Sequence, residues 1–304
     1  MSKIDATVLG DLAGFIRAVT GSARAERVGS EERGDVVIED LLLSAGAGEP
    51  IPAYLTRPRI VQTPAPAVLY CHAHGNDYGI GRRELVEGRA ALQTPPYGQA
   101  LAEEGFVTLC LEMPAFGARA DIPETALYKA LLWQGKTLFG QMLSELSLGL
   151  DYLLGREEVD GTRVAAMGMS MGCTHAFWLG ALDPRIGAVA HLCCFASMRE
   201  LVRTGAHDIH GHYMTVPGLL DRCDTGDIAA LIAPRPQLIC VGMKDELTPQ
   251  AGFEIALSAV RTRYDECGAA ERLSVLVEDE AGHEETPAMR RAVLDFLGRF
   301  ASAA

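Results

Sequence analysis

The chain has few basic residues and no long apolar run, and both shortages exclude classes of function. Its 304 residues include 27 Lys and Arg against 40 Asp and Glu, which gives a net charge of −13. Such an excess of negative charge disfavours nucleic acids and anionic membranes as partners. No apolar run approaches the roughly 20 residues that a membrane-spanning helix needs. We therefore expect a small-molecule partner, with neither a nucleic acid nor a membrane, and the sequence leaves the oligomeric state open.

Targeting and disulfide patterns are missing as well. Residues 1–10 show no basic region followed by an apolar core, so no secretory signal is visible. No Cys-x-x-Cys spacing occurs, and most of the eight cysteines lie in strand-like apolar runs: Cys71, Cys110, Cys173, Cys193, Cys194, Cys223, Cys240 and Cys267. Buried free thiols are typical of a reducing compartment. We therefore expect a cytoplasmic protein without a disulfide framework.

Neither an internal repeat nor a low-complexity tract interrupts the chain, and 48% of its residues are hydrophobic, as in globular domains. From residue 65 onward, apolar runs of strand length alternate with helix-like segments. This alternation predicts an α/β fold, a mostly parallel central sheet with helices on both faces. An antiparallel hairpin over 36–43 and 52–57 is expected before it.

Two parts are predicted along the chain. Residues 1–34 form an N-terminal extension, with a helix around Leu9–Val19 and then a polar connection, and residues 35–304 form a single domain. Residues 197–230 break the alternation and contain several histidines. Long loops in compact domains usually carry function, so we predict a lid here, whose pocket residues are His210, His212 and Tyr213. Surface decoration is the alternative, and the long polar loop over 77–97 is the other place for a lid.

The most informative motif is Gly168-Met169-Ser170-Met171-Gly172. It follows a short apolar run and opens an Ala/Leu-rich segment of helical character. A Gly-x-Ser-x-Gly motif between a strand and a helix forms a nucleophile elbow, in which the serine occupies a strained turn. The two glycines are needed because the strand and the helix crowd around that turn. Ser170 is therefore the predicted nucleophile.

Two later segments supply partners for this serine. Asp245 follows an apolar run that ends at Gly242, and a helix is expected just after it, with Thr248 as its N-cap. His283 follows the next such run. Open α/β sheets place their sites at the carboxyl ends of strands, so both side chains are expected near Ser170. Imidazole has an unperturbed pKa of about 6.5 and can accept a serine proton, while an aspartate orients the ring. The alternatives are a helix cap for Asp245 and a solvated loop for His283.

An oxyanion formed at this site would need hydrogen-bond donors. The backbone N–H of Met171, which follows the nucleophile, is one candidate. The other is the N–H of Asn76, with Gly75 as the alternative, in the loop after the strand-like run at 67–71. His72 and His74 in the same loop could form a metal pair, but no third ligand lies nearby. The prediction is therefore a site without metal or cofactor.

Several stretches together resemble the dienelactone-hydrolase-like and acetyl-xylan-esterase-like group of the α/β-hydrolases. The chain order Ser170, Asp245, His283 is the order of that superfamily. The stretches that carry the resemblance are 72–75, 114–119, 168–172, 231–236 and 281–283, with 213–220 between them. The resemblance covers about residues 65 to 300 and implies the α/β-hydrolase fold with a short lid insertion.

The same resemblance implies ester hydrolysis through an acyl-enzyme without fixing the substrate. Dienelactone hydrolases proper use a cysteine nucleophile, whereas this chain has Ser170, which favours a serine esterase. The expected substrate is a small-molecule ester, such as an acetyl ester or a lactone. Acyl transfer and carbon–carbon bond hydrolysis by the same triad remain alternatives, as does a hydrolase-like binding protein without activity.

Overall fold

The computed structural model of the protein describes residues 23–46, 48–62 and 64–303. The helix that we predicted around Leu9–Val19 lies outside these ranges. All eight cysteines are free thiols, and seven of them are buried. None of the helices within the described ranges is long and apolar enough to cross a membrane.

Within the described residues, the sheet has nine strands in the order β1-β2-β3-β5-β4-β6-β7-β8-β9. Their bounds are β1 Arg24–Arg33, β2 Val36–Ser44, β3 Ile51–Pro58, β4 Ala65–Cys71, β5 Val107–Leu111, β6 Val159–Met169, β7 Ala188–Leu192, β8 Gln237–Gly242 and β9 Leu273–Glu278. The pairs β1–β2, β2–β3 and β3–β5 are antiparallel, and the pairs from β5 to β9 are parallel. The predicted α/β class and the predicted hairpin of β2 and β3 are confirmed.

Helices cover both faces of this sheet. Their bounds are α1 Glu84–Glu87, α2 Tyr97–Glu103, α3 Glu124–Trp133, α4 Leu138–Leu154, α5 Met171–Leu182, α6 Met198–Thr204, α7 Thr225–Ala230, α8 Gln250–Glu266 and α9 Pro287–Ser302. Side chains of β4 alternate between the faces, as the period of a strand requires. Leu69 packs in the cluster with α4, α5 and α8, while Val68 and Tyr70 pack in the cluster with α2 and α9.

One part of the predicted extension is wrong. Residues 24–33 form strand β1 instead of a polar connection, and β1 pairs with β2 along its whole length. The predicted boundary at residue 34 therefore falls in the turn of a hairpin. Most residues of β1 are exposed because the strand lies at the edge of the sheet with little packed against it. An edge strand of this kind has no apolar side, and its sequence resembles that of a loop.

Candidate active site

The turn between β6 and α5 holds Ser170 in a conformation that side chains other than glycine rarely adopt. Its backbone has φ 60° and ψ −119°. The Ser170 N–H donates to the Leu192 carbonyl oxygen at 3.0 Å, which ties the turn to β7. A Cβ on Gly168 or on Gly172 would collide with the carbonyl oxygen of Cys71 at the end of β4. The predicted strand, strained turn and helix are therefore all present, and both glycines are required by close approach.

The ends of three strands bring Ser170, Asp245 and His283 together. His283 Nε2 lies 2.8 Å from Ser170 Oγ, and His283 Nδ1 lies 2.8 Å from Asp245 Oδ2. Because an ionised carboxylate only accepts hydrogen bonds, Nδ1 carries the proton and Nε2 keeps a lone pair toward the serine. Asp245 is buried, whereas the His283 side chain is 25% exposed. The arrangement can therefore move a proton from the hydroxyl to the ring.

Thr248 fixes the carboxylate of this chain of hydrogen bonds. Its hydroxyl donates to Asp245 Oδ2 at 2.9 Å and accepts the N–H of Cys194 at 2.7 Å. The Leu247 N–H donates to Asp245 Oδ1 at 2.9 Å. Our interpretation of Thr248 as a helix N-cap is wrong, because α8 begins one residue later, with Pro249 in the cap position. The Thr248 hydroxyl instead orients the Asp245 carboxylate.

The loop that carries His283 is anchored through Glu285. This buried carboxylate accepts two hydrogen bonds from Arg290, at 2.9 and 2.8 Å, and one from the Gln93 N–H at 2.8 Å. It also accepts a hydrogen bond from the Tyr97 hydroxyl. Arg290 in turn donates to the carbonyl oxygen of Pro95 at 2.7 Å. The histidine loop is thereby tied to the segment that precedes α2, a contact that the sequence pattern does not indicate.

The two predicted oxyanion donors differ in their surroundings. Met171 is the first residue of α5, where a backbone N–H has no partner within the helix. The Asn76 N–H, in contrast, donates to His74 Nδ1 at 3.1 Å. Gly75 and Asn76 both have positive φ, 56° and 52°, and this turn directs the amide back to the ring. The Asn76 N–H is therefore not free in this structure, and it must share or leave that bond to serve an oxyanion.

The ring nitrogens of His72 and His74 are already engaged, which argues against the hypothesis of a metal pair there. His72 Nδ1 lies 3.0 Å from the Ala73 carbonyl oxygen, and His72 Nε2 accepts the Met113 N–H at 3.2 Å. His74 Nε2 lies 2.6 Å from Glu124 Oε2, and its Nδ1 is engaged by Asn76. Both rings are thus used to shape the loop.

Comparison with solved structures supports the fold. No protein-family model matches the chain. A glucuronoyl esterase from Solibacter usitatus superposes with a TM-score of 0.71 at 14% identity, covering 97% of this chain and 92% of that one. An acetyl xylan esterase from Paenibacillus sp. R4 superposes with a TM-score of 0.68 at 18% identity, covering 96% and 93%. At such identities the likeness shows a shared architecture.

A closer likeness appears in sequence. The chain is 37% identical over 270 residues to the Bacillus subtilis (strain 168) protein named "Putative hydrolase YtaP", covering 89% of this chain and 90% of that protein. The chain belongs to the family of this hydrolase, and its architecture is the α/β-hydrolase fold of the superposed esterases. The resemblance that we drew from its motifs is thereby confirmed.

In this hydrolase, a buried ion pair holds the loop after β4. Glu84 accepts the Ala73 N–H at 3.1 Å, Arg89 donates to the Ala73 carbonyl oxygen at 3.0 Å, and the two side chains pair with each other. Burial raises the pKa of Glu84, although Arg89 and the Tyr70 hydroxyl oppose that rise. Both peptide groups of Ala73 are therefore fixed from outside the loop.

Glu124 of α3 joins the same loop to the predicted lid. Its carboxylate accepts hydrogen bonds from His74, from the Tyr78 hydroxyl at 2.7 Å and from the Tyr213 N–H at 2.9 Å. Burial alone would raise the pKa of Glu124, but the hydrogen bonds from His74 and Tyr78 hold it below its ordinary value. One carboxylate thus connects three segments of the hydrolase.

The three residues predicted to belong to a lid occupy three different environments. His210 lines a small cavity of about 20 Å³ together with Thr174, one turn of α5 beyond the nucleophile. His212 is exposed and stacks on Tyr128 of α3, with ring centroids 5.3 Å apart. Tyr213 is only 3% exposed and stacks against His74, so it lies in the core and not on an open surface of a lid, which corrects our placement of it. Its ring packs against His74, Phe139 and His175 beneath the predicted lid segment, and burial of so large an apolar surface stabilises the fold.

Proposed function

We propose that this hydrolase is a serine-dependent carboxylic-ester hydrolase acting on a small-molecule ester. The observation that carries the proposal is the continuous hydrogen-bonded chain from Ser170 through His283 to Asp245, with 2.8 Å at each step. Nucleophile, base and orienting acid in this geometry are the requirements of acyl transfer to serine. The strained turn at Ser170 adds support, because such strain is typical of functional sites.

The reaction follows from the atoms that meet there. Ser170 Oγ attacks the acyl carbon while its proton moves to His283 Nε2, and Asp245 stabilises the imidazolium that forms. The oxyanion accepts the N–H of Met171 and a second N–H from the loop at 75–76. His283 then gives its proton to the departing alcohol, leaving an acyl-serine. A water molecule, deprotonated by the same ring, releases the acid and restores the hydroxyl of Ser170.

The named activities of the structural neighbours suggest which esters to try. An acetyl xylan esterase removes acetyl groups, as its name states, and a glucuronoyl esterase acts on glucuronoyl esters. We therefore propose acetyl esters as the first class to test, with longer acyl esters, uronate methyl esters and lactones as comparisons.

Covalent labelling of the nucleophile tests the proposal. A fluorophosphonate should modify Ser170 in the wild type, and peptide mapping should locate the adduct there. Ser170→Ala should lose labelling and should lower kcat on 4-nitrophenyl acetate by as much as about 10⁶-fold, the loss found where a comparable triad was dissected. Cys173→Ala is the matched control, because Cys173 lies on the same helix and packs against His191. Full turnover by Ser170→Ala, or inactivation by Cys173→Ala, would remove Ser170 from this role.

A further inference from the structure

A cysteine that this mechanism does not use lies beside its acid and base. Cys193 directly follows β7, is fully buried, and has a left-handed backbone with φ 60°. Its N–H donates to the Cys240 carbonyl oxygen at 2.8 Å, which fixes the residue against β8. The Cys193 Sγ, a carboxylate oxygen of Asp245 and a ring nitrogen of His283 all lie within 4.8 Å of one another.

These three groups match the ligands that soft divalent cations prefer. Zn²⁺ binds thiolate, imidazole and carboxylate at about 2.0 to 2.3 Å in a tetrahedral arrangement, so its ligand atoms lie roughly 3.3 to 3.7 Å apart. The observed separations need side-chain shifts of only about 1 Å to reach that spacing. One thiolate and one carboxylate also neutralise a divalent cation, and this lowers the cost of placing the charge in a buried site. Mg²⁺ and Ca²⁺ prefer oxygen ligands and do not fit.

We propose that Cys193, Asp245 and His283 form an inhibitory binding site for a soft divalent cation such as Zn²⁺ or Cd²⁺. The inhibition rests on the proposed function, because the cation would occupy two members of the triad. It is a regulatory or inhibitory ligand and takes no part in the reaction.

Proton positions explain why binding there stops hydrolysis. The cation displaces the thiol proton of Cys193, which passes to solvent. It also binds His283 Nδ1, and the proton of that nitrogen moves to Nε2 of the same ring. One proton is therefore released for each cation bound. With Nε2 protonated, the ring has no lone pair to accept the proton of Ser170. Of the three ligands only His283 is partly exposed, with 25% of its side chain accessible, so the ring is the side of the site nearest to solvent.

Cysteine variants test the site directly. Wild type, Cys193→Ser and Cys193→Ala would be titrated with Zn²⁺ in a non-chelating buffer while acetyl-ester hydrolysis is followed, with Mg²⁺ as the cation control. Cys194→Ser is the matched variant, because Cys194 is the adjacent buried thiol and its Sγ lies 3.7 Å from His210 Nδ1. Cd²⁺ binding would be measured in parallel by equilibrium dialysis and by the ultraviolet absorbance of the cadmium–thiolate bond.

The expected result is inhibition of wild type and Cys194→Ser by Zn²⁺, but not by Mg²⁺. Loss of an outer partner alone weakens metal binding by about 10- to 100-fold, so removing the Cys193 ligand should raise the inhibitory concentration at least about tenfold. One Cd²⁺ per chain should be lost in both Cys193 variants while their activity without metal stays close to that of the wild type. Equal inhibition of Cys193→Ala and the wild type would overturn the site.

The cadmium measurement separates this proposal from the proposed function. It reports binding whether or not the protein hydrolyses esters. Absence of Cys193-dependent Cd²⁺ binding in an active enzyme would refute the cation site and leave the esterase intact. Cys193-dependent binding in a protein that neither turns over esters nor reacts with a fluorophosphonate would refute the esterase and leave the cation site.

Discussion

Replacing Thr248 by valine should slow the reaction without touching a reacting group. Valine has nearly the shape of threonine, but it removes the hydrogen bond to Asp245 Oδ2 and leaves the Cys194 N–H without its acceptor. Thr248 is fully buried, so water cannot replace either bond. A buried group left without a partner costs about 1–3 kcal/mol, and a hydrogen bond to a charged group contributes about 1.5–3 kcal/mol. We therefore expect the free energy of unfolding to fall by about 3 kcal/mol.

The kinetic loss should be intermediate. Replacing the aspartate of a triad by asparagine costs about 10⁴-fold in kcat, whereas here the carboxylate keeps the Leu247 N–H and loses only part of its support. Small misplacements of a catalytic group cost up to about 10²-fold. Thr248→Val should thus lower kcat by about 10- to 100-fold with KM nearly unchanged, because the threonine is fully buried and acts through Asp245.

The assay compares kcat, KM and urea denaturation for Thr248→Val and Thr248→Ser. Serine keeps the hydroxyl and loses one methyl group, so it should restore most of kcat while its stability stays about 1 kcal/mol below that of the wild type. This rescue distinguishes a positioning role from a packing role. The reasoning would be refuted if serine and valine lowered kcat equally, or if valine left kcat at the wild-type value.

Three other results are expected. Asp245→Asn should lower kcat by about 10⁴-fold because the amide favours the wrong tautomer of His283. Asp279→Asn, at an exposed position, should change kcat little. A larger loss of kcat in Asp279→Asn than in Asp245→Asn would contradict the assignment. Tyr213→Ala should destabilise the fold by about 3–5 kcal/mol in urea denaturation, because the ring is buried, and unchanged stability with an altered substrate preference would restore its role in the pocket. Burial lowers the pKa of three rings to about 3, those of His72, His175 and His191. Unfolded imidazole titrates near 6.5, so between about pH 6.5 and 3 the unfolded chain binds the extra protons and stability falls as pH falls, by roughly 1.4 kcal/mol per pH unit for each ring. His175→Phe loses no hydrogen bond, because neither ring nitrogen of His175 has a partner in the described structure. This variant should reduce the dependence of stability on pH by the contribution of one ring. An unchanged dependence would exclude His175 as a contributor.

The residues of the candidate triad could be predicted because each follows a strand in sequence. Ser170, Asp245 and His283 lie just past the ends of β6, β8 and β9, and parallel strands present those ends at one edge. Local signals, namely a glycine pair and the ends of apolar runs, were therefore enough to predict that these side chains meet. His283 is 38 residues from Asp245 and 113 residues from Ser170 in the chain.

The buried carboxylates that support the site could not be predicted in this way. Glu84, Glu124 and Glu285 occur in polar stretches, where a glutamate is usually a solvated surface residue. Some of their partners lie far away in the sequence, as Gln93 does from Glu285 and Tyr213 does from Glu124, and only the packed structure shows that they meet. Strand β1 and Tyr213 were misassigned for related reasons. Strand β1 has little packed on it, so its sequence shows no apolar side. Tyr213 follows a polar stretch, so its sequence context does not indicate that the ring is buried.

The hydrogen bonds that meet at Glu124 have a consequence for exchanging lid segments between hydrolases. The predicted lid segment contributes to these hydrogen bonds through the backbone N–H of residue 213, so most side chains there would keep the bond. Proline has no N–H and would break it, as would an insertion that shifts the register of the segment. A lid transplanted from another hydrolase would thus be compatible with the loop after β4 only if it returned a backbone amide to Glu124. Grafts should therefore be designed around the path of the main chain at this point.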